Sequence, residues 1–253
     1  MNSIIITTYN RPDALALVLN ALAAQSCQDF EVIIADDGSS QPTFDLIQQL
    51  NLPYSIQHIW QPDDGFRAAM ARNRAAAAAQ GDYFIFLDGD CVPTPDFVFR
   101  HQLLAEKNCF VAGNRILLSQ NFTDHILPNT PIWEWNIKQY LAAYLRRDMN
   151  RILPLLRLPN HKWRKYKHKK WQGAKTCNLA VWRDDFFQVN GFDEQFQGWG
   201  HEDAEFVVRL LQHGVIRKEG RFAVPVLHLW HPEQDRQLEL VNRQRLEQGL
   251  SRL

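Results

Sequence analysis

The run Tyr83-Phe84-Ile85-Phe86-Leu87 ends in Asp88-Gly89-Asp90, two carboxylates one residue apart. An unbroken apolar stretch of this kind reads as a strand covered on both faces. If strand geometry persists to its end, Asp88 and Asp90 point to the same side, with flexible Gly89 between them. Two like charges held there repel unless water solvates them or a cation sits between them. The pair is therefore either an acidic turn or part of a cation site. Mn²⁺ and Mg²⁺, hard ions that take oxygen ligands, are the cations such a pair suits.

Three other groups carry chemistry. Asp36-Asp37-Gly38-Ser39 closes the apolar run 31–35; Asp36 there is either functional or a cap or turn former. Glu202-Asp203 follows Gly198-Trp199-Gly200 and falls in the first turn of a helical pattern, where the helix dipole alone favours carboxylates. His228 and His231 lie at the end of the last apolar run. A single histidine in an apolar strand is usually a satisfied core residue. Strand alternation puts 228 and 231 on opposite faces, so joint action needs a bend after Leu229.

The elements that must position these groups alternate. Residues 3–8, 31–35, 54–60 and 82–87 read as strands, and 12–24, 43–50 and 66–80 as helices. Pro12 suits a first helical turn, and the third helix is rich in alanine. Strand–helix repetition with short links argues a parallel, right-handed α/β sheet. In such sheets ligands bind beyond the carboxyl ends of the strands. Thr8-Tyr9, Asp36-Asp37 and Asp88-Gly89-Asp90 all fall there. Further on, 97–107 and 201–213 read as helices, 109–113, 178–182 and 224–229 as strands, and 233–250 as a polar helix.

At 253 residues, 45% hydrophobic and 22% charged, the composition is that of a soluble globular chain. Lys+Arg equals Asp+Glu, so no net field recruits nucleic acid. Cys27, Cys91, Cys109 and Cys177 are scattered with no CxxC, and read as reduced thiols of a cytosolic protein. The first strand begins too early for a signal peptide, and no apolar run nears the about 20 residues of a membrane span. The expected location is cytoplasmic, with peripheral association at the inner membrane face as an option.

SIIITTYNRP, VIIADDGSS, AAMARNRA and FIFLDGD together resemble the family 2 glycosyltransferases of GT-A fold. GFDEQFQGWGHEDAEFVVRLLQHG is similar to the galactosyltransferase-type module of β-1,4-galactosyltransferases and some bacterial polysaccharide synthases. The matching stretches span roughly residues 3–231, with the middle of the chain uncovered. The resemblance implies an α/β GT-A fold, a mostly parallel sheet flanked by helices. It also implies a metal-dependent, inverting transfer of a hexose or N-acetylhexosamine from a UDP-sugar to a glycan hydroxyl, in bacterial surface polysaccharide or lipopolysaccharide synthesis.

Carried over residue by residue, the resemblance gives Asp90 to the metal and Asp88 to the ribose or the metal's water shell. His231 completes the metal site, with His228 as a second ligand and imidazole tilting preference from Mg²⁺ towards Mn²⁺. Asp37 takes the uracil imide and Tyr9 lies against the ring. Thr8, Arg11, Arg67 and Arg72 join the donor site, Arg72 near the diphosphate or ribose; the competing reading for Arg72 is a helix-surface arginine paired with Asp63 or Asp64. Asp203 becomes the base, Glu202 an acceptor hydrogen bond, and Trp199 an apolar platform for a sugar face.

The expected organisation is one GT-A domain. Residues 1–113 form a nucleotide-sugar half, 114–175 an irregular basic and aromatic insertion, and 176–253 an acceptor half with a C-terminal helix. Basic residues crowd 157–175, as a solvated loop or a contact for lipid headgroups or a phosphorylated or lipid-linked glycan acceptor. Two rivals stand beside transfer. A sugar-nucleotidyltransferase needs a Gly-rich, basic loop after the first strand, where TTYNRPD stands. A catalytically silent sugar-nucleotide binder would keep the fold without turnover.

Overall fold

The computed structural model describes residues 1–127, 129–233 and 235–250. Pro128 of the expected insertion, Gln234 of the expected C-terminal helix, and Ser251, Arg252 and Leu253 at the end of the third segment lie outside the described residues. Alternation holds in the first third: β1 (Asn2–Thr8), α1 (Pro12–Ala23), β2 (Phe30–Asp36), α2 (Gln41–Gln49), β3 (Ile56–Trp60), α3 (Ala68–Ala78) and β4 (Tyr83–Asp88). There follow β5 (Cys91–Pro93), α4 (Phe97–Leu104), β6 (Cys109–Ala112), β7 (Asn114–Leu117), α5 (Gln120–Ile126) and α6 (Ile137–Leu145). The chain closes with β8 (Asn178–Trp182), α7 (Arg183–Gln188), α8 (Glu202–Gln212), β9 (Ile216–Glu219), β10 (Pro225–His228) and α9 (Glu239–Leu250).

Seven strands form the main sheet in the order β3-β2-β1-β4-β8-β6-β9. Only β8 runs against its neighbours; the other pairings are parallel. Period-2 alternation sorts the apolar side chains into two cores. Ile4, Ile6, Val32, Ile34, Ile85 and Leu87 face one, against α1. Ile5, Ile33, Phe84 and Phe86 face the other, with the alanines of α3 and Phe206 of α8. The small alanine side chains let α3 lie close on the sheet, which carries Arg72 down towards the strand ends.

Parallel register aligns those ends. Thr8 lies opposite Asp36, and Thr7 opposite Asp88. A second, three-stranded sheet, β5-β10-β7, closes over this edge. In it His228 pairs with Cys91, and the Leu229 amide donates to the Asp90 carbonyl at 2.9 Å. α9 begins later than the sequence pattern suggests. Asp235 Oδ1 accepts the Gln237 amide at 2.9 Å, a local turn that competes with helix.

Gly38 holds the loop after β2 in place. Its φ is +97°, and a Cβ there would stand 2.5 Å from the Asp63 Cα. Gly38→Ala is expected to destabilise the protein by at least about 1–2 kcal/mol from the left-handed backbone alone. Urea denaturation measures it; an unchanged midpoint would contradict this reading of the loop.

Candidate active site

Arg72 of α3 is buried, and its guanidinium spans side chains from three distant parts of the chain. Nε donates to Thr7 Oγ1 at 3.0 Å. Nη2 lies 3.3 Å from Asp88 Oδ1, and Nη1 lies 3.3 Å from Glu202 Oε1 and 3.7 Å from Asp203 Oδ1. Burial works against the charge on Arg72, but Asp203, Asp88 and Glu202 outweigh it and hold the group above its ordinary value. The strand-terminal carboxylate and the two helix-terminal ones thus meet on one cation.

Burial also sets the carboxylates. It pushes Glu202 up to about 7, with Asp203 adding to the rise and Arg72 opposing it. Asp203 is the more open of the pair, its side chain 23% exposed against 11% for Glu202. Thr176 Oγ1 donates to Asp203 Oδ1 at 2.5 Å, the oxygen that also faces Arg72. Asp88 is raised by burial, lowered by Arg72 and raised again by Asp90 and Asp203.

Asp90 gathers the second cluster. His228 Nε2 is 3.6 Å from its Oδ1 and His231 Nε2 3.5 Å from its Oδ2, with Arg11 Nη1 at 3.4 Å from Oδ2. Strand β10 ends at His228, so the chain turns and both rings reach Asp90, their centroids 5.2 Å apart. Burial and Arg115 bring His228 down to about 4, so it is neutral at pH 7. His231 Nδ1 lies 2.7 Å from the Pro232 carbonyl, which only accepts; Nδ1 therefore carries a proton and Nε2 faces the carboxylate.

The residues fit a divalent ion. Separations of 3.5 and 3.6 Å between ring nitrogen and carboxylate are longer than a normal hydrogen bond and suit ligand atoms sharing one cation. Burial raises Asp90, as isolation without such a partner would. Asp90, Cys91 and His228 bring one ligand atom each within 4.8 Å of one another. Burial and Cys177 push the Cys91 thiol up; Asp90 and the imidazoles supply the oxygen and nitrogen donors that suit Mn²⁺. Arg115 Nη1 stands 3.4 Å from His228 Nε2, so ion binding there displaces it.

The other expected residues divide. Asp37 Oδ1 accepts Gln61 Nε2 at 2.7 Å and Oδ2 the Arg67 amide at 2.8 Å, inside a buried loop. Asp36 accepts the Ser39 amide and meets His58 Nε2, both at 2.7 Å, the turn-forming role. Thr8 is buried beside these ends, and Tyr9 is 47% exposed with its hydroxyl on Asp63 Oδ2 at 2.8 Å. The Arg67 side chain turns outward to Asp64, a surface pair of the kind weighed for Arg72, which instead points inward. Trp199 is half-buried, with the Arg236 guanidinium 4.8 Å from its ring centroid. Arg115 and Thr176 went unread in the sequence, and Cys91 reads there only as a reduced thiol. None sits in a periodic pattern, and only strand pairing brings Arg115 to His228.

A family model described as glycosyl transferase family 2 matches residues 3–154, and one described as the N-terminal domain of galactosyltransferase matches 159–224. The validoxylamine A glucosyltransferase of Streptomyces hygroscopicus subsp. jinggangensis is 31% identical over 84% of this chain and 52% of its own length. The hyaluronan synthase of Pasteurella multocida is 30% identical over 85% of this chain and 23% of its own. The chain therefore spans about half, or less, of the length of these relatives. A solved structure of GalNAc-T7 with UDP, GalNAc and Mn²⁺ aligns with a TM-score of 0.64 at 15% identity, over 98% of this chain and 47% of that one.

Removing Arg72 leaves three carboxylates facing one another. Arg72→Gln is expected to destabilise by about 3–5 kcal/mol at pH 8. Without the cation the carboxylates hold protons more tightly, so the deficit shrinks as pH falls through their raised pKa values. Urea denaturation at pH 8 and pH 5 checks this; a deficit equal at both pH values would contradict it.

Proposed function

The chain belongs to glycosyltransferase family 2, and on that premise we propose that it transfers a hexose or N-acetylhexosamine from a UDP-sugar to a glycan hydroxyl. The observation that carries the proposal is the Arg72 junction, which joins a strand-terminal carboxylate beside a cation-type cluster to the Glu202/Asp203 pair. Donor and acceptor chemistry need that adjacency. A sugar-nucleotidyltransferase or a silent binder has no use for a carboxylate pair opposite the donor end.

Asp37 accepts the uracil imide N–H, in addition to the two bonds its carboxylate already takes. The exposed ring of Tyr9 offers a face to the base, and Thr8 and Arg11 border the nucleotide. Asp90 and His231, with His228 and Asp88 beside them, are the residues for Mn²⁺ or Mg²⁺. Such an ion, when bound, offsets the charge that develops on a departing diphosphate. The GalNAc-T7 structure, holding UDP and Mn²⁺ on the same fold, supports a divalent metal for this chain.

Asp203 takes the proton of the attacking acceptor hydroxyl. Thr176 and Arg72 both hold its Oδ1, which fixes the carboxylate's direction. Glu202 accepts a hydrogen bond from the acceptor, and Trp199 supplies a sugar platform. Displacement assisted by one base inverts the anomeric centre. The relative named hyaluronan synthase supports a role in bacterial surface polysaccharide or lipopolysaccharide synthesis. No described helix is long and apolar enough to cross a membrane. We place the enzyme in the cytoplasm, with its lipid-linked acceptors at the membrane face.

Asp203→Asn is expected to lower turnover of UDP-sugars by roughly 10²–10⁴-fold with UDP affinity unchanged. Glu202 accepts a hydrogen bond from the acceptor only once ionised, so kcat/KM rises with pH up to about 7 and then levels. Glu202→Gln moves that limb to lower pH. Activity of Asp203→Asn within a few fold of wild type, or a limb indifferent to Glu202→Gln, would sink these assignments.

A further inference from the structure

The basic stretch separates into locked cations and free ones. Arg157 is held by Asp96 at 2.8 Å, and Lys165 and Lys218 both go to Glu106. Arg164 is buried and donates to the carbonyls of Leu158, Pro159, Glu219 and Arg221 at 2.6–3.0 Å. It thereby clasps the 3-10 turn Lys162–Lys165 onto β9 and the residues after it. Lys167, by contrast, has no carboxylate partner among the described residues.

Between these walls lies a cavity of about 190 Å³, room for about six waters. Period 2 puts Arg217 and Glu219 on the strand face that lines it, Arg221 follows in the turn after β9, and Trp163, Tyr166 and Lys167 line the other side. One carboxylate, Glu219, serves both Arg217 at 3.5 Å and Arg221 at 3.8 Å. Arg217 is 6% exposed, and its Nε–H is buried with no acceptor. Arg217 Nη1 already donates to the carbonyls of Lys170 and Gln172, so Nε is the donor left over, and an incoming anion supplies the acceptor it lacks. Aromatic rings beside an excess of cations add an apolar face to that anion site.

We propose that this cavity binds a phosphoryl group carried on a sugar, as a subsite distinct from the transfer site. Trp163, stacked 4.4 Å from the Arg164 guanidinium, and Tyr166, 84% exposed, offer the faces a sugar ring needs. Arg221 and Lys167 close on the phosphoryl oxygens, with Arg217 behind them. β9 runs in the same sense as β4 and lies three strands from it, about 14 Å away. Glu219 and Arg221 stand at its carboxyl end, on the sheet edge that also carries Asp88. In this proposal an oligosaccharide held at Asp203 runs along that edge to the cavity. Naming the acceptor as the carrier rests on the transfer reading; the anion site does not.

Titration calorimetry with glucose 6-phosphate, without metal or nucleotide, tests the site on wild type and on Lys167→Gln/Arg221→Gln. Both replaced side chains are exposed, so folding is preserved. Wild type is expected to bind at least 10-fold more tightly than the double variant, and glucose not to bind. Lys169→Gln/Lys170→Gln is expected to match wild type. Equal affinity for wild type and Lys167→Gln/Arg221→Gln would overturn the proposal, as would glucose binding as well as its phosphate. So would phosphatidylglycerol vesicles that sediment wild type but not the double variant and are not displaced by glucose 6-phosphate. If UDP binding failed while the 10-fold difference held, the subsite would stand and only its acceptor role would fall.

Discussion

One guanidinium, that of Arg72, is buried among Asp88, Glu202 and Asp203, and the site takes its shape from that charge balance. Three carboxylates at this separation repel strongly in a medium less polar than water. A single buried cation makes their convergence tolerable, and it needs its own partners for the same reason. Each group is thus required by the others, which ties helix α3 and strand β4 to the start of helix α8, with Arg72 and Glu202 130 residues apart in sequence. The alanines of α3 make this geometrically attainable, because larger side chains would hold the helix farther from the sheet.

The balance is incomplete at Asp90. Arg72 serves Asp88 but has no contact with Asp90, whose neighbours are two imidazoles, a protonated thiol and the partly exposed Arg11. The two pKa directions have different causes: burial raises Asp90 despite the cations near it, whereas burial and Arg115 lower His228 and keep its ring neutral, with a lone pair to give. A divalent cation offsets the buried charge on Asp90 and accepts that lone pair. The antiparallel pairing of β5 with β10 enforces this arrangement, since it fixes His228 opposite Cys91 irrespective of the ion.

Much of this was legible in the sequence because local rules sufficed. Buried strands ending in acids, the alanine-rich helix and the mostly parallel sheet follow from periodicity and turn chemistry. The family resemblance supplied candidates such as Asp90, His231 and Asp203, and the fold gathers them at one edge. Local rules do not decide which direction a long side chain takes. Arg67 and Arg72 look alike in sequence, yet one turns out to Asp64 and the other inward to three carboxylates. The joint approach of His228 and His231 depends on where β10 stops, and α9 starts late because Asp235 forms its own turn. Arg115 and Thr176 act through pairings set by tertiary structure, which no spacing announces.

Donor binding, and with it every role proposed for the site, depends on the Asp90 cluster being a metal-dependent nucleotide site. Titration calorimetry of UDP with and without Mn²⁺, on wild type and on Asp90→Ala, tests this most directly. Binding to wild type that requires Mn²⁺ and disappears in Asp90→Ala is the predicted result. UDP binding indifferent to the metal and to Asp90, in a folded variant, would contradict it and return Asp88-Gly89-Asp90 to an acidic turn at the end of a strand.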